Sequence, residues 1–503
     1  MSEGGYVFSL TRLRKRSPIV DRAISSGPSP IAILLLIVMA ANRASAQGPP
    51  ALPDRPWHSA DERQIALEAH RFRQSGFHID AEKVYSLADL IDLAEAHNPE
   101  TRVAWENARV QAAALGISRS ELYPTLSAVA LSGVARSDAG SRSGFYRQTM
   151  PDSQLTLNLN YAIFDFGARR GRIDAASARL LATNFGFNDV HRQLIYKVQQ
   201  AYYRLLNASA EETAARASLA NAHAVQQAAE ERLKNGLATL PDVLEARSAT
   251  AQAQYDLQAV LGAEQIARGD LTTVLGASAA SMIRMQPFSE VPTPETVGET
   301  VELIIDRAID QRPDLQADVA GIREANAQRK EARAAYYPSL NLSASPTAES
   351  LNLLQKNLPS GHTADLAGGV ALSLNWTVFD GGARKNRLAQ AEAQIRRAEA
   401  QVDAARDQIA NEVWTAYSNL NTAFLQREAA TALLDAATQS YAAALESYNY
   451  GVRNLLDVTA AQKVLAQARS ADILARTQVL ASLSDLAFRA GDLIQVDEKR
   501  SKP

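Results

Sequence analysis

The chain has 503 residues, with 52 Lys and Arg against 55 Asp and Glu, a net charge of −3, and no cysteine. Near-neutrality excludes the broad basic footprint of a nucleic-acid binder. The lack of cysteine excludes disulfides, thiolate metal sites, a cysteine nucleophile and lipid attachment through an N-terminal cysteine.

Composition also points to helices. Apolar residues make up 46% of the chain but aromatics only 6%, so the apolar fraction is mostly Ala and Leu. That balance suits closely packed helices better than a bulky globular core.

The first element is a targeting segment. Arg12, Arg14, Lys15 and Arg16 precede an apolar run over 31–41, and Ala44-Ser45-Ala46 follows as a small-x-small cleavage site. Basic, apolar, then A-x-A predicts a secretory signal over 1–46. The run is too short to cross a membrane as a helix, which argues against a retained anchor. Residues 47–83 read as an irregular extension opened by Pro49, Pro50, Pro53 and Pro56. Its His58, His70 and His78 match no metal spacing.

A first repeat is expected over 84–286. Leu87, Leu90, Ile91 and Ala94 have helical spacing, with Ser86 as cap and Asp89 three residues on. A second helix fills 100–121 and stops before Tyr123-Pro124, because proline disfavours helical geometry in the residue before it. The period then changes to two. Leu155, Leu157, Leu159 and Tyr161 alternate with Thr156, Asn158 and Asn160, and a less regular strand covers 125–134. Segments of about ten residues with one apolar and one small, uncharged polar face suit a membrane β-barrel. Soluble hairpins packed on a core are the other reading, but such strands are usually shorter. A proline-free helix follows over 168–235, long enough for a rod of about 100 Å. Gly236 to Pro241 interrupts it, and helix resumes at Asp242, where an N-cap acid belongs.

A linker over 287–299, rich in Pro and polar residues, leads into a second copy over 300–495, with a polar tail over 496–503. Asn98-Pro99 recurs as Arg312-Pro313, and Tyr123-Pro124 as Tyr337-Pro338. Phe164-Asp165-Phe166-Gly167 recurs as Phe379-Asp380-Gly381-Gly382, and Gly236 with Asp242-Val243 as Gly451 with Asp457-Val458. The offset stays at 214 to 215 residues, far longer than a solenoid repeat. Each half therefore reads as a whole structural unit. Its strands include Leu340, Leu342 and Ala344, then Val370, Leu372, Leu374, Trp376 and Val378. Its long helix covers 383–450.

Four strands cannot close a membrane barrel, and an open edge is not tolerated in lipid. Copies must pool strands. Three copies supply about twelve strands, within the even-numbered range of such barrels, and six helical hairpins to extend them as a tube.

Taken together and in order, these features resemble the TolC family of outer-membrane efflux proteins over 84–495. The carrying features are the duplication, the two X-Pro pairs, the Tyr-Pro and Phe-Asp-x-Gly boundaries and the Gly-x5-Asp-Val turns. The resemblance implies an α+β membrane protein: a homotrimer with a twelve-stranded β-barrel, four strands per chain, continuous with a periplasmic α-helical coiled-coil tunnel. It implies residence in the outer membrane, contact with its lipid, and partnership with a periplasmic adaptor and an inner-membrane transporter. The function implied is the exit duct of a tripartite efflux pump or a type I secretion system.

The resemblance also assigns residues. Arg232, Gly236 and Leu237, with Gly451, Val452 and Arg453, match turns that meet the adaptor. Tyr448, Arg453 and Asp242 match links that hold the tunnel shut, and Asp457 matches an acid that narrows the entrance. Where many relatives carry a second such acid, this chain has Ala460. Helix capping alone is the other reading of Asp242 and Asp457. No nucleophile elbow, phosphate loop or metal motif is present, so no enzyme activity and no cofactor is expected. The rival function is a periplasmic or secreted coiled-coil scaffold without a pore. It accounts for the helices but not for the period-two segments.

Overall fold

The computed structural model describes residue 54 and residues 61–72, 77, 79–141, 144–288, 300–355 and 361–492. The expected signal over 1–46 and tail over 496–503 lie outside the described residues, as does most of the linker. Within the extension read as irregular, α1 (Glu62–Phe72) is helical. Ile65, Ala69 and Phe72 recur at helical spacing there, a signal obscured by the prolines upstream.

From Phe77 onward the described residues form one compact unit. In the first half come β1 (Val84–Tyr85), α2 (Leu87–His97), α3 (Pro99–Ser120), β2 (Thr125–Ser141) and β3 (Gly144–Phe164). The hairpin of α4 (Ala168–Lys234) and α5 (Leu240–Val274) follows, then β4 (Arg284–Met285), which pairs in parallel with β1. The second half holds α6 (Val301–Gln311), α7 (Pro313–Ala334), β5 (Ser339–Ala344), β6 (Thr347–Gln355), β7 (Gly361–Ala367) and β8 (Val370–Asn375). It closes with the hairpin of α8 (Ala383–Asn449) and α9 (Leu455–Ala490).

The helix boundaries have local causes. Ser86 and Asp89 form a reciprocal capping box at the start of α2. Pro99 and Pro313 occupy first-turn positions, where a missing N–H costs nothing. The two 67-residue helices, α4 and α8, contain no proline and each spans about 100 Å. Each half has its own apolar core around the middle of its long helix. Leu90, Leu194, Val198, Tyr202 and Leu271 form one. Ile304, Ile409, Val413, Leu420 and Val479 form the other.

One sheet joins the halves. β2 pairs with β3, whose other edge pairs with β5 and β6, and these pair in turn with β8 and β7. Four strand tracks exist, as expected, but they are longer than ten residues: β2 has 17 and β3 has 21. The second-half tracks are each broken in two. Pro346 has no N–H to continue the ladder, and a Cβ on the facing Gly368 would lie 2.6 Å from the Pro346 Cα. The last track ends at Asn375, short of Trp376 and Val378, and the Trp376 indole donates to the Tyr336 carbonyl at 3.2 Å.

The register aligns the chemistry of the two faces. Leu126 opposes Leu159, which opposes Ala344, which opposes Val370. Tyr161, Leu342 and Leu372 form a second row, and Phe164, Leu340 and Leu374 a third. Asn160, Ser343 and Ala371 lie on the opposite face with Ser127 and Asn158. The outer edge of β2 and those of β7 and β8 have no partner among the described residues.

Candidate functional site

Both hairpin turns use the same device. Gly236 and Gly451 have φ of 71° and 77°, a left-handed geometry that suits glycine. Each follows the last helical turn, and the next amide closes back onto it: Leu237 N to Arg232 O at 2.7 Å, and Val452 N to Ser447 O at 2.9 Å. Leu237 and Val452 are left exposed at the two tips.

Neither acid is the N-cap expected from the sequence. Thr239 caps α5 and Asn454 caps α9, which places Asp242 and Asp457 at the third helical position. Asp242 accepts from the Thr239 amide at 2.8 Å and hydroxyl at 2.7 Å. Those two bonds, with the nearby Arg232 charge, hold its carboxyl below the usual carboxylate range. At the other tip the Asp457 amide donates to the Asn454 side chain at 2.9 Å. The Asp457 carboxylate itself is exposed and has no partner among the described residues.

Tyr448 packs into a core shared by both tips, with Val225, Ala229, Val243 and Val458. It is 4% exposed. Its hydroxyl is buried with no hydrogen-bond partner among the described residues. Burial pushes that hydroxyl's pKa up, and the Asp242 charge pushes the same way against Arg232.

The structure thus brings Tyr448 and Asp242 to one place, but the cation beside them is Arg232. Its guanidinium lies 4.6 Å from the Tyr448 ring centroid and donates to the Tyr448 carbonyl at 2.9 Å and the Asn449 carbonyl at 3.3 Å. These are C-terminal carbonyls of α8, where a cation is favourable. Arg453 is exposed; its amide donates to Ser447 O at 3.3 Å, and its side chain has no partner among the described residues.

A second set of residues escaped the sequence reading. Asn98 caps α3 through the Glu100 amide at 2.7 Å and donates to Val274 O at 2.7 Å, closing the end of α5. A Cβ on the adjacent Gly276, whose φ is 79°, would lie 2.8 Å from His97 O. In the second half Arg312 stands in the same place with charge. It donates twice to Asp314, at 3.1 and 2.6 Å, and to Glu412 at 2.8 Å. Arg192 of the first half reaches Asp314 at 3.6 Å and donates to Phe488 O at 2.8 Å. Burial opposes ionisation of Asp314 and Glu412, yet Arg312 outweighs it and holds both below their ordinary values. The recurring X-Pro pairs were the visible signal, but partners 100 to 177 residues away were not.

Among the described residues, no helix is long and apolar enough to cross a membrane, and no group of side chains is arranged to hold a metal.

The model of the outer membrane efflux protein family matches residues 90–277 and 304–492. Protein CyaE of Bordetella pertussis is 29% identical over 408 residues, covering 81% of this chain and 84% of that one. Outer membrane protein OprJ of Pseudomonas aeruginosa is 26% identical over 67% of this chain and 69% of its own. A crystal structure of a membrane protein from Pseudomonas aeruginosa superposes with a TM-score of 0.69 at 26% identity, over 82% of this chain and 94% of that one.

Proposed function

Given that the chain belongs to the outer membrane efflux protein family, we propose that it is the exit duct of a tripartite efflux pump or a type I secretion system. Three copies form a twelve-stranded barrel in the outer membrane, and their hairpins form a periplasmic tunnel. A periplasmic adaptor meets the tips, and an inner-membrane transporter supplies energy and selects the cargo. The duct is passive and performs no catalysis.

The observation that carries this reading is the sheet. Its apolar rows run from Leu374, Leu340 and Phe164 to Leu366, Ala348 and Leu155. That is about 30 Å along the strands, or about 23 Å at a tilt near 40°, close to the height of a barrel's lipid-facing band. Beyond it the next row is Ser132, Ser153, Ser350 and Ala364. At the helical end exposed Tyr123, Phe166, Tyr337, Trp376 and Phe379 supply the aromatic girdle that marks a membrane interface. Both outer strand edges await partners, which lipid cannot provide. A scaffold without a pore has no use for such a sheet.

At the tips, Leu237 and Val452 with their glycine turns are the adaptor contacts. Tyr448, Asp242 and Arg453 hold the entrance shut, with Arg453 reaching a neighbouring chain, and Asp457 forms a ring of three carboxylates. Residues 1–46 direct export, and the repeats span 84–286 and 300–495 about a linker.

Cell fractionation tests the reading. The protein is expected in the outer-membrane fraction, soluble only with detergent, and migrating as a trimer until boiled. Recovery as a detergent-free soluble protein would overturn it in favour of the scaffold.

A further inference from the structure

Four cations sit at one level, just beneath the aromatic girdle. Arg119 and Arg333 each precede an exposed girdle tyrosine, Tyr123 and Tyr337, by four residues. Arg170 and Lys385 each follow the glycine that opens a long helix, Gly167 and Gly382, by three. Arg119 and Arg333 are counterparts in the duplication, as are Arg170 and Lys385. At the helical rise each lies about 5–6 Å along its helix from the girdle or the turn beside it. That matches the depth of a lipid head-group layer, about 5–8 Å on each side of the hydrocarbon.

These cations lie on the apolar side of the sheet. Phe164, in the row of Leu340 and Leu374, meets Phe166 edge-on at 4.7 Å, and Phe166 stacks on Tyr337 at 4.8 Å. The turn after α7 continues its winding, with Tyr336 N donating to Arg333 O at 3.2 Å and Tyr337 N to Ala334 O at 3.1 Å. Arg333 and Lys330, four and seven residues before Tyr337, therefore share its face. Arg170 joins that face through Asp174, which pairs with Arg170 at 3.2 Å and with Lys330 at 3.4 Å. Leu122 N and Tyr123 N close onto Arg119 O and Ser120 O in the same way, so Arg119 stands to Tyr123 as Arg333 stands to Tyr337. The opposite face of α4 and α7 is balanced: Arg172 meets Glu121 and Glu331, and Arg179 meets Glu324.

The apolar-side cations are not balanced. The side chains of Arg119, Arg333 and Lys385 are exposed and have no partner among the described residues. The Arg170 side chain is 81% exposed and shares Asp174 with Lys330. Other acids at this level are taken: Asp165 holds Arg169, Asp380 holds Arg384, and Glu121 and Glu331 hold Arg172. α4 and α8 also have no acid in the first turn, where one is favourable, and carry cations there instead. Both halves thus gather unneutralised positive charge at one height, beside aromatic side chains suited to a membrane interface.

We propose that Arg119, Arg170, Arg333 and Lys385 form a collar that binds the phosphates of anionic phospholipid in the leaflet on the helical side of the membrane. This rests on the barrel reading above and assigns the head-group class at that interface. The tyrosines set the depth of the chain in the bilayer, and the cations below them select head-group charge.

Lipid selectivity tests the collar. Full-length protein is reconstituted into phosphatidylcholine bilayers carrying trace spin-labelled phosphatidylglycerol or spin-labelled phosphatidylcholine, and electron spin resonance reads how much of each label the protein immobilises. The wild type should hold the phosphatidylglycerol label several-fold more strongly, and the preference should fall as salt is raised. Combining Arg119→Gln, Arg170→Gln, Arg333→Gln and Lys385→Gln should abolish the preference at unchanged trimer yield. Either counterpart pair alone, Arg119→Gln with Arg333→Gln or Arg170→Gln with Lys385→Gln, should remove part of it. Arg323→Gln, on the same face of α7 but about 21 Å from Tyr337, should leave it intact. Equal immobilisation of both labels by the wild type, or a preference that survives the combined variant, overturns the collar alone. Equal immobilisation together with sedimentation on purified peptidoglycan, lost in the combined variant, overturns it in favour of the cell wall. Protein that fails to enter the bilayer overturns the barrel and the collar together.

Discussion

α4 and α8 are the same helix written twice, each 67 residues long and each entered through a Phe-Asp-x-Gly turn. Their surroundings differ. α4 lies against α2, α3, α5, α7 and α9 and buries Leu194, Val198, Tyr202, Leu205 and Leu206. α8 lies against α6, α7 and α9 and leaves Trp414, Leu425 and Leu433 exposed. The sheet repeats the contrast: β3 is paired on both edges, whereas β7 and β8 are paired on one. Equal elements with unequal neighbours mean that the second half lacks a partner which the first half already has. On the proposed reading the single chain is an open segment of a ring.

The halves also differ at their anchors, and this is where substitution should have its largest effect. Arg312→Ala would leave the half-buried Asp314 and Glu412 with only Arg192 and Arg489 beside them, a loss of about 3 kcal/mol, the low end for breaking a buried ion pair. Asn98→Ala removes neutral hydrogen bonds and should cost about 1–3 kcal/mol. Thermal unfolding of the detergent-solubilised protein would rank them, and equal losses would break the distinction. Asp314 and Glu412 are held below their ordinary values of 3.8 and 4.5. Their contribution is complete above those values and is lost as the pH falls through the lowered ones. The acid limb of a stability–pH curve should therefore flatten in Arg312→Ala and persist in Asn98→Ala.

The two faces of the sheet come next. Leu157→Arg and Leu372→Arg place charge on the lipid side and should cost about 2–4 kcal/mol each near the bilayer centre. Asn158→Arg and Ser373→Arg, on the other face, should be milder. Trimer yield on unboiled gels reads the difference, and equal losses from both pairs would refute the register assigned to the faces.

The smallest expected effects are at the tips. Arg232 ties the tips of the first and second hairpins inside one chain, whereas Arg453, whose side chain has no partner among the described residues, reaches a neighbouring chain in the proposed assembly. Contacts on a wetted rim are worth about 1 kcal/mol or less each, and threefold repetition makes them a several-fold shift in a closed–open equilibrium. Arg232→Ser should loosen the packing around Tyr448, read as faster proteolysis at the tips, without changing trimer yield. Asp457→Ala should weaken cation preference and block by multivalent cations, and leave the closed state intact.

Much of this was legible in the sequence, because the helices, turns and strand faces rest on local patterns. Period two located the four strand tracks, and glycine spacing located both turns. The breaks at Pro346 and Gly368 were not legible, since the second arises from a close approach between strands. Thr239 and Asn454 were missed as caps because a polar residue three places from an acid fits either role. Arg232 reads locally as part of its own turn, but its partners are 216 and 217 residues away. Asn98 and Arg312 were flagged as repeats, yet only the fold shows that each joins the start of one helix to the end of another.

The central claim is that copies of this chain enclose one conduit closed at its helical end. Single-channel recording in planar bilayers tests it most directly, comparing the wild type with Tyr448→Phe combined with Arg453→Ser. The account predicts discrete, small conductance steps for the wild type and several-fold larger steps for the double variant, at unchanged trimer yield. Correctly assembled trimers that conduct nothing in either form would contradict it.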